Sequence, residues 1–207
     1  MQNIIRNTLQ ETERTISQVL NNAIILQQME AMAKQMADVL LKQGKLIACG
    51  NGGSMCDAIH FAEELTGRFN KDRQALPAIA LSDPGYLSCV ANDYGWDNVF
   101  ARGVDAFALK GDLVLGISTS GNSTNIIKAL EAAKKKECFT ASLLGKEGGK
   151  LKGSCDYEII VPSDNTARIQ EIHGIVIHLL IELIENELFT NPKENLNPNY
   201  TAKIRKQ

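Results

Sequence analysis

A chain of 207 residues with 44% hydrophobic content can bury one substantial core but hardly two independent ones, so a single domain is expected. Its formal charge of -2 and pI near 6.0 supply no broad basic field, which excludes duplex nucleic acid or an anionic membrane surface as the expected main partner and leaves small molecules and proteins. The amino-terminal MQNIIRNTLQETERT carries charge and amides where a secretion signal needs an apolar core, and no apolar run reaches membrane-spanning length, so a soluble, unprocessed chain is expected. Cys49, Cys56, Cys89, Cys138 and Cys155 are odd in number, lack C-x-x-C spacing and sit mostly in apolar runs. They read as reduced core thiols, which points to the cytosol.

In chain order, Ile5, Leu9 and Ile16, then Met29, Met32, Met36, Val39 and Leu40, recur at three- and four-residue steps, which predicts one long or two consecutive amphipathic helices. From Lys45 onward the pattern changes to short apolar runs: KLIACG, ALPAIALS, DLVLGIS, CFTASLLG and YEIIVPS. Each is followed by small residues and helical periodicity. Such βαβ alternation predicts a parallel sheet with helices on both faces, a three-layer αβα sandwich preceded by amino-terminal helices. Thr166 to Phe189 reads as a last long helix, apolar on most sides and therefore buried, including between subunits. Residues 1–189 form the expected domain, and the polar, basic-ended stretch 190–207 reads as a mobile tail.

Two strand-to-helix loops carry the chemistry. In LIACGNGGSMCDAIHFAEEL, Gly50, Gly52 and Gly53 let the chain pass close to a ligand while Asn51 and Ser54 supply polar contacts. The G-x-G-x-x-G dinucleotide fingerprint would need glycine where Met55 stands, so a Rossmann cofactor site is rejected. The following helix spaces His60, Glu64 and Arg68 by four residues and so presents them on one face. A solvated face with intrahelical pairing would show the same spacing. The second loop, Ser118-Thr119-Ser120-Gly121-Asn122-Ser123, combines a sharp turn with four hydroxyls at a helix amino terminus, where anions bind. It lacks the G-K-[ST] of a nucleotide-binding P-loop, and this favours a compact monophosphate held by neutral donors. On the loop alone, a serine-rich N-cap turn accounts for the same residues.

In the last helix, RIQEIHGIVIHLL sets Arg168, Gln170, Glu171, His173 and His178 among apolar residues. Gln170 and His178, joined with His60 and Glu64, make a nitrogen- and oxygen-rich set suited to zinc or a similar divalent ion. Taken alone, His178 reads as a satisfied core histidine, and His173 is assigned a structural place.

The segments CGNGGS, DAIHFAEELTGR, CVANDYG, GISTSGNS, LLGKEGGKL and RIQEIH, in this order over about residues 1–189, resemble those of the sugar isomerase (SIS) fold and, within it, the phosphoheptose isomerase family. That resemblance implies an aldose–ketose isomerisation of sedoheptulose 7-phosphate to D-glycero-D-manno-heptose 7-phosphate, an early step toward bacterial lipopolysaccharide heptose. It further implies a cytoplasmic homotetramer with one zinc per subunit. Family ligand contacts fall on Asn51, Gly52, Gly53, Glu64, Asn92, Asp93, Ser118, Thr119, Ser120, Ser123 and Gln170. Metal contacts fall on His60, Glu64, Gln170 and His178, the catalytic carboxylate on Glu64 and the catalytic imidazole on His178. One departure is Ala167, where some members carry aspartate. The alternative is a catalytically silent SIS protein that binds a replication-initiator-type partner. The segments E-E-L-T-G-R and R-I-Q-E-I-H argue against it, since a binding module has no need for a base and an imidazole facing a phosphate cradle.

Overall fold

The computed structural model describes residues 1–70 and 72–190; the expected tail lies outside them from residue 191 onward. Helices α1 (Gln2–Leu20) and α2 (Ala23–Leu41) are the two predicted amphipathic helices, separated where Asn22 turns the chain and caps α2. The Asn22 side chain accepts from the Ile24 and Ile25 N–H groups at 3.1 and 3.2 Å.

Strands β1 (Leu46–Gly50), β2 (Ala78–Ala80), β3 (Leu113–Ser118), β4 (Phe139–Gly145) and β5 (Tyr157–Val161) form one parallel sheet in the order β2-β1-β3-β4-β5. The predicted strand runs coincide with these elements. β1 and β3 are buried at every position, because helices cover both sheet faces and no polar face is needed. On one face, α2, α3 (Gly53–Thr66) and α7 (Thr166–Glu185) bury Met32, Met36, Phe61, Leu65, Ile172 and Val176 against Ala48, Leu115 and Leu143. On the other, α4 (Pro84–Tyr94), α5 (Val99–Phe107) and α6 (Thr124–Lys135) bury Phe100, Val104, Ile126 and Leu130 against Ile47, Cys49 and Val114.

A buried carboxylate locks the start of the two central strands. Asp112, 2% exposed, accepts from the Lys45 backbone N–H at 2.9 Å, the Lys45 ammonium at 2.6 Å and the Leu109 N–H at 2.8 Å. Three donors compensate its desolvation, so β1 and β3 are pinned with Leu46 opposite Leu113 and their carboxyl ends side by side.

Four details depart from the sequence reading. The α-helical part of the last segment ends at Glu185 and continues as a π-turn over Asn186–Thr190. Its apolar circumference is not fully buried, since Ile175 and Leu179 are each 41% exposed. Arg68 lies beyond the Gly67 C-cap of α3, is exposed and is not on the His60–Glu64 face. Of the five free thiols, Cys49 and Cys138 are core residues and Cys155 is partly buried, whereas Cys56 and Cys89 are exposed because they fall on the solvent sides of α3 and α4.

Candidate active site

The strand order reverses between β1 and β3, since the chain runs outward to β2 on one side and to β4 and β5 on the other. In such sheets ligands bind beyond the carboxyl ends of the strands flanking the switch point. Both loops singled out in the sequence leave from there, the glycine loop after β1 and the hydroxyl loop after β3. Helices α3 and α6 each begin without a capping side chain; Ser54, Met55 and Ile126 N–H are taken by backbone carbonyls, which leaves the Gly53, Thr124 and Asn125 N–H groups for a ligand among the described residues.

The hydroxyl loop is held by its own bonds. Ser118 Oγ, on a residue 4% exposed, lies 3.2 Å from Ser123 Oγ and accepts from the Gly121 N–H at 3.2 Å. Ser120 Oγ accepts from the Asn122 N–H at 3.2 Å. Gly121 has φ +62, and a Cβ on it would lie 1.8 Å from the Gly148 carbonyl oxygen. Hence the segment Gly145–Leu151, part of the LLGKEGGKL motif, braces the loop from behind. Leu151 N–H donates to Gly121 O at 3.1 Å and Lys150 N–H to Asn122 Oδ1 at 3.0 Å. Thr119, Ser120 and Ser123 keep partial exposure.

The glycine loop meets α7. A Cβ on Gly53 would lie 2.5 Å from Gln170 Nε2, so glycine is what lets the Gln170 amide sit over the start of α3. Asn51 faces Asn125 of α6 in a reciprocal amide pair at 2.9 and 2.8 Å.

Farther along α3, His60, Glu64 and His178 converge, with one ligand-type atom of each within 4.8 Å of the others. His60 Nε2 lies 3.4 Å from Glu64 Oε1 and 3.2 Å from His178 Nε2, and the rings meet edge to face with centroids 4.8 Å apart. Two bare imidazole nitrogens cannot face each other at that distance unprovided, so a proton or a cation belongs between them. Tetrahedral ligation with metal–nitrogen bonds of about 2.0–2.1 Å sets ligand atoms about 3.3 Å apart, which the His60–Glu64 and His60–His178 separations match, while all three donors lie within 4.8 Å. Phe69 flanks His178 with ring centroids 5.5 Å apart. Glu64 is largely shielded, with 18% of its side chain accessible, and His60 keeps 35%.

Not every expected residue joins this set. Asn92 and Asp93 are exposed on α4, where Asn92 Nδ2 donates to Asp93 Oδ1 at 2.8 Å and Cys89 Sγ lies 3.7 Å from Asp93 Oδ2. Their bonds run to each other and to Cys89, not to the two loops.

Two residues of the site escaped the sequence reading. Asp57, three residues before His60, is half-buried; burial pushes its carboxyl up to about 6, opposed by the nearby His60, and its Oδ2 has no partner among the described residues. Its helical spacing from His60 was the available signal. Arg73 donates to the Glu64 carbonyl at 2.8 Å, to the Leu65 carbonyl at 2.8 Å and to Glu185 Oε1 at 2.8 Å. This guanidinium therefore closes the end of α3 and ties it to α7, which brings Glu64 beside His178. It lies in an irregular segment with no periodicity, and nothing local marks it.

Comparison with known proteins identifies the family. The SIS domain family matches residues 9–145. The phosphoheptose isomerase of Vibrio cholerae is 52% identical over 188 residues, covering 90% of this chain and 98% of that protein. That of Fusobacterium nucleatum is 54% identical over 160 residues, 77% of this chain and 82% of the relative. The solved phosphoheptose isomerase of Neisseria gonorrhoeae superimposes with a TM-score of 0.84 at 38% identity, covering 89% of this chain and 98% of its own. The chain, with a glycine loop and a hydroxyl loop at the sheet's carboxyl edge and a Glu64–His60–His178 cluster on α3 and α7, therefore belongs to the phosphoheptose isomerases, an enzyme family of sugar-phosphate isomerases with the SIS domain.

Proposed function

We propose that this protein interconverts sedoheptulose 7-phosphate and D-glycero-D-manno-heptose 7-phosphate, and so feeds bacterial heptose and lipopolysaccharide synthesis in the cytoplasm. The observation that carries the reading is the Glu64 carboxylate 3.4 Å from His60, whose ring in turn meets His178 at 3.2 Å, on a helix that starts at the glycine loop. Aldose–ketose isomerisation needs a base that takes a proton from the carbon beside the carbonyl and returns it to the neighbouring carbon through an enediol. Glu64 is that base, and His178 moves the proton between the two oxygens. Ser118, Thr119, Ser120 and Ser123 hold the phosphate; Asn51, Gly52, Gly53, Glu64, Asn92, Asp93 and Gln170 contact the sugar.

His60, Glu64, Gln170 and His178 would hold zinc. When bound, it supplies positive charge that acidifies a C–H beside a carbonyl.

The acting unit is one domain over residues 1–189, assembled as a homotetramer with sites at subunit interfaces. Ile4, Ile5, Leu9 and Leu20 of α1 and Ile24 of α2 are each more than half exposed, and covering such a side chain is worth about 1.5–3 kcal/mol. Exposure of His178, Asn92 and Asp93 leaves them open to a neighbouring copy.

The test is to offer sedoheptulose 7-phosphate to purified protein, with and without a chelator, and follow product while light scattering reports the assembly. Turnover by a tetramer, reduced by the chelator, is expected. Inert protein would instead favour the partner-binding alternative, and a fully active monomer would remove the tetramer from the scheme.

A further inference from the structure

We infer that Asn125 is a positioning residue that clasps the glycine loop to the hydroxyl loop and aims Asn51 at the ligand. The inference rests on the isomerase reading for the role of Asn51 but not for the clasp itself. Asn125 is the second residue of α6 and is 2% exposed, a deep place for a primary amide. Its Oδ1 accepts from the Ile126 N–H at 3.0 Å, which settles which end of the amide is oxygen. The Nδ2 end must then meet an acceptor, and it donates to Asn51 Oδ1 at 2.8 Å. Asn51 Nδ2 returns a bond to Asn125 Oδ1 at 2.9 Å. The pair is therefore a two-point, directional contact between loops 74 residues apart in sequence.

Its consequence lies in what remains. One Nδ2–H of Asn51 and the Gly52 and Gly53 backbone N–H groups are left for a ligand among the described residues, and their direction is set by the clasp. The Asn51 backbone carbonyl also accepts from the Ser54 N–H at 3.0 Å, across the Gly52 N-cap of α3, the helix that carries His60 and Glu64. Loop spacing and base position are thus linked through one amide pair.

Asn125→Asp tests this, because a carboxylate cannot donate to Asn51 Oδ1 whereas the protonated acid can. At pH 8 the variant's KM for sedoheptulose 7-phosphate should rise about tenfold or more relative to the parent, with kcat changing less. As pH falls toward about 5, a carboxyl raised by burial takes up its proton and the variant-to-parent KM ratio should return toward one. A KM ratio that stays near one at pH 8 would overturn the proposal. So would a raised ratio independent of pH that tracks a fall in melting temperature, since that is the mark of packing alone. If the parent itself fails to turn over the sugar, the isomerase reading fails separately. The clasp is then judged by the Asn51 side-chain amide resonances, which should shift with pH in Asn125→Asp and not in the parent. Unchanged resonances would sink it.

Discussion

The hydroxyl loop between β3 and α6 and the imidazole–carboxylate cluster on the α3–α7 seam are held in different ways. The loop is wired by bonds among Ser118, Ser120, Gly121, Asn122 and Ser123 and braced by Lys150, 28 residues on from Asn122. The cluster joins side chains 118 residues apart, and its central contact is between two ring nitrogens that need a proton or cation to share. One region is complete as folded. The other is not closed by its own bonds, with Asp57 half-buried beside it and its Oδ2 without a partner among the described residues. On the function proposed above, this is a division of labour between a preset anion cradle and a separate, electrostatically unfinished reaction centre.

The largest effect should come from the centre. Glu64→Gln keeps size and hydrogen bonding but removes the base, so turnover should fall by about 10²–10⁴ while part of the affinity survives. Deuterium incorporation from solvent at the substrate carbon reads the step directly; exchange at the parent rate in Glu64→Gln would break the assignment. The cradle should respond in the opposite sense. Ser118→Ala, Ser120→Ala or Ser123→Ala should each weaken sugar-phosphate binding by about 1–3 kcal/mol with a smaller change in kcat, as measured by calorimetry and initial rates. Equal binding in all three would place the phosphate elsewhere.

The smallest effect sharpens the comparison through α7. His173 is fully buried on the helix that carries His178, and its Nε2–H donates to the Leu144 carbonyl of β4 at 3.0 Å. Burial holds this imidazole neutral, pushed down to about 4. The unfolded chain takes up the proton near pH 6.5 and the folded one does not, so His173's contribution is intact above that pH and is lost as pH falls toward 4. Between pH 7 and 5.5 stability should drop by about 1 kcal/mol through this group alone. Urea midpoints of the parent and of His173→Gln at the two pH values isolate it. An identical pH dependence in both would show that His173 does not titrate differently on folding.

Much was legible in the residues because it depends on local periodicity and turn chemistry. Alternation of apolar runs with helical patterns specified five strands, two covered faces and the loops at their ends, since a strand buried on both sides has no use for polar alternation. The glycine and hydroxyl loops announced themselves by composition, for only certain residues allow such turns and donors. Spacing set His60 and Glu64 on one face but overran the helix, placing Arg68 on a face that ends at Gly67. Tertiary structure alone decided the rest. The order β2-β1-β3-β4-β5 put the two loops together, and helix packing brought His178 to His60. Asn125 met Asn51, and Arg73 reached the end of α3, through contacts between residues remote in sequence or lacking any pattern. Such contacts depend on which elements pack side by side, a global minimum of burial and hydrogen bonding to which no single window of the sequence has access.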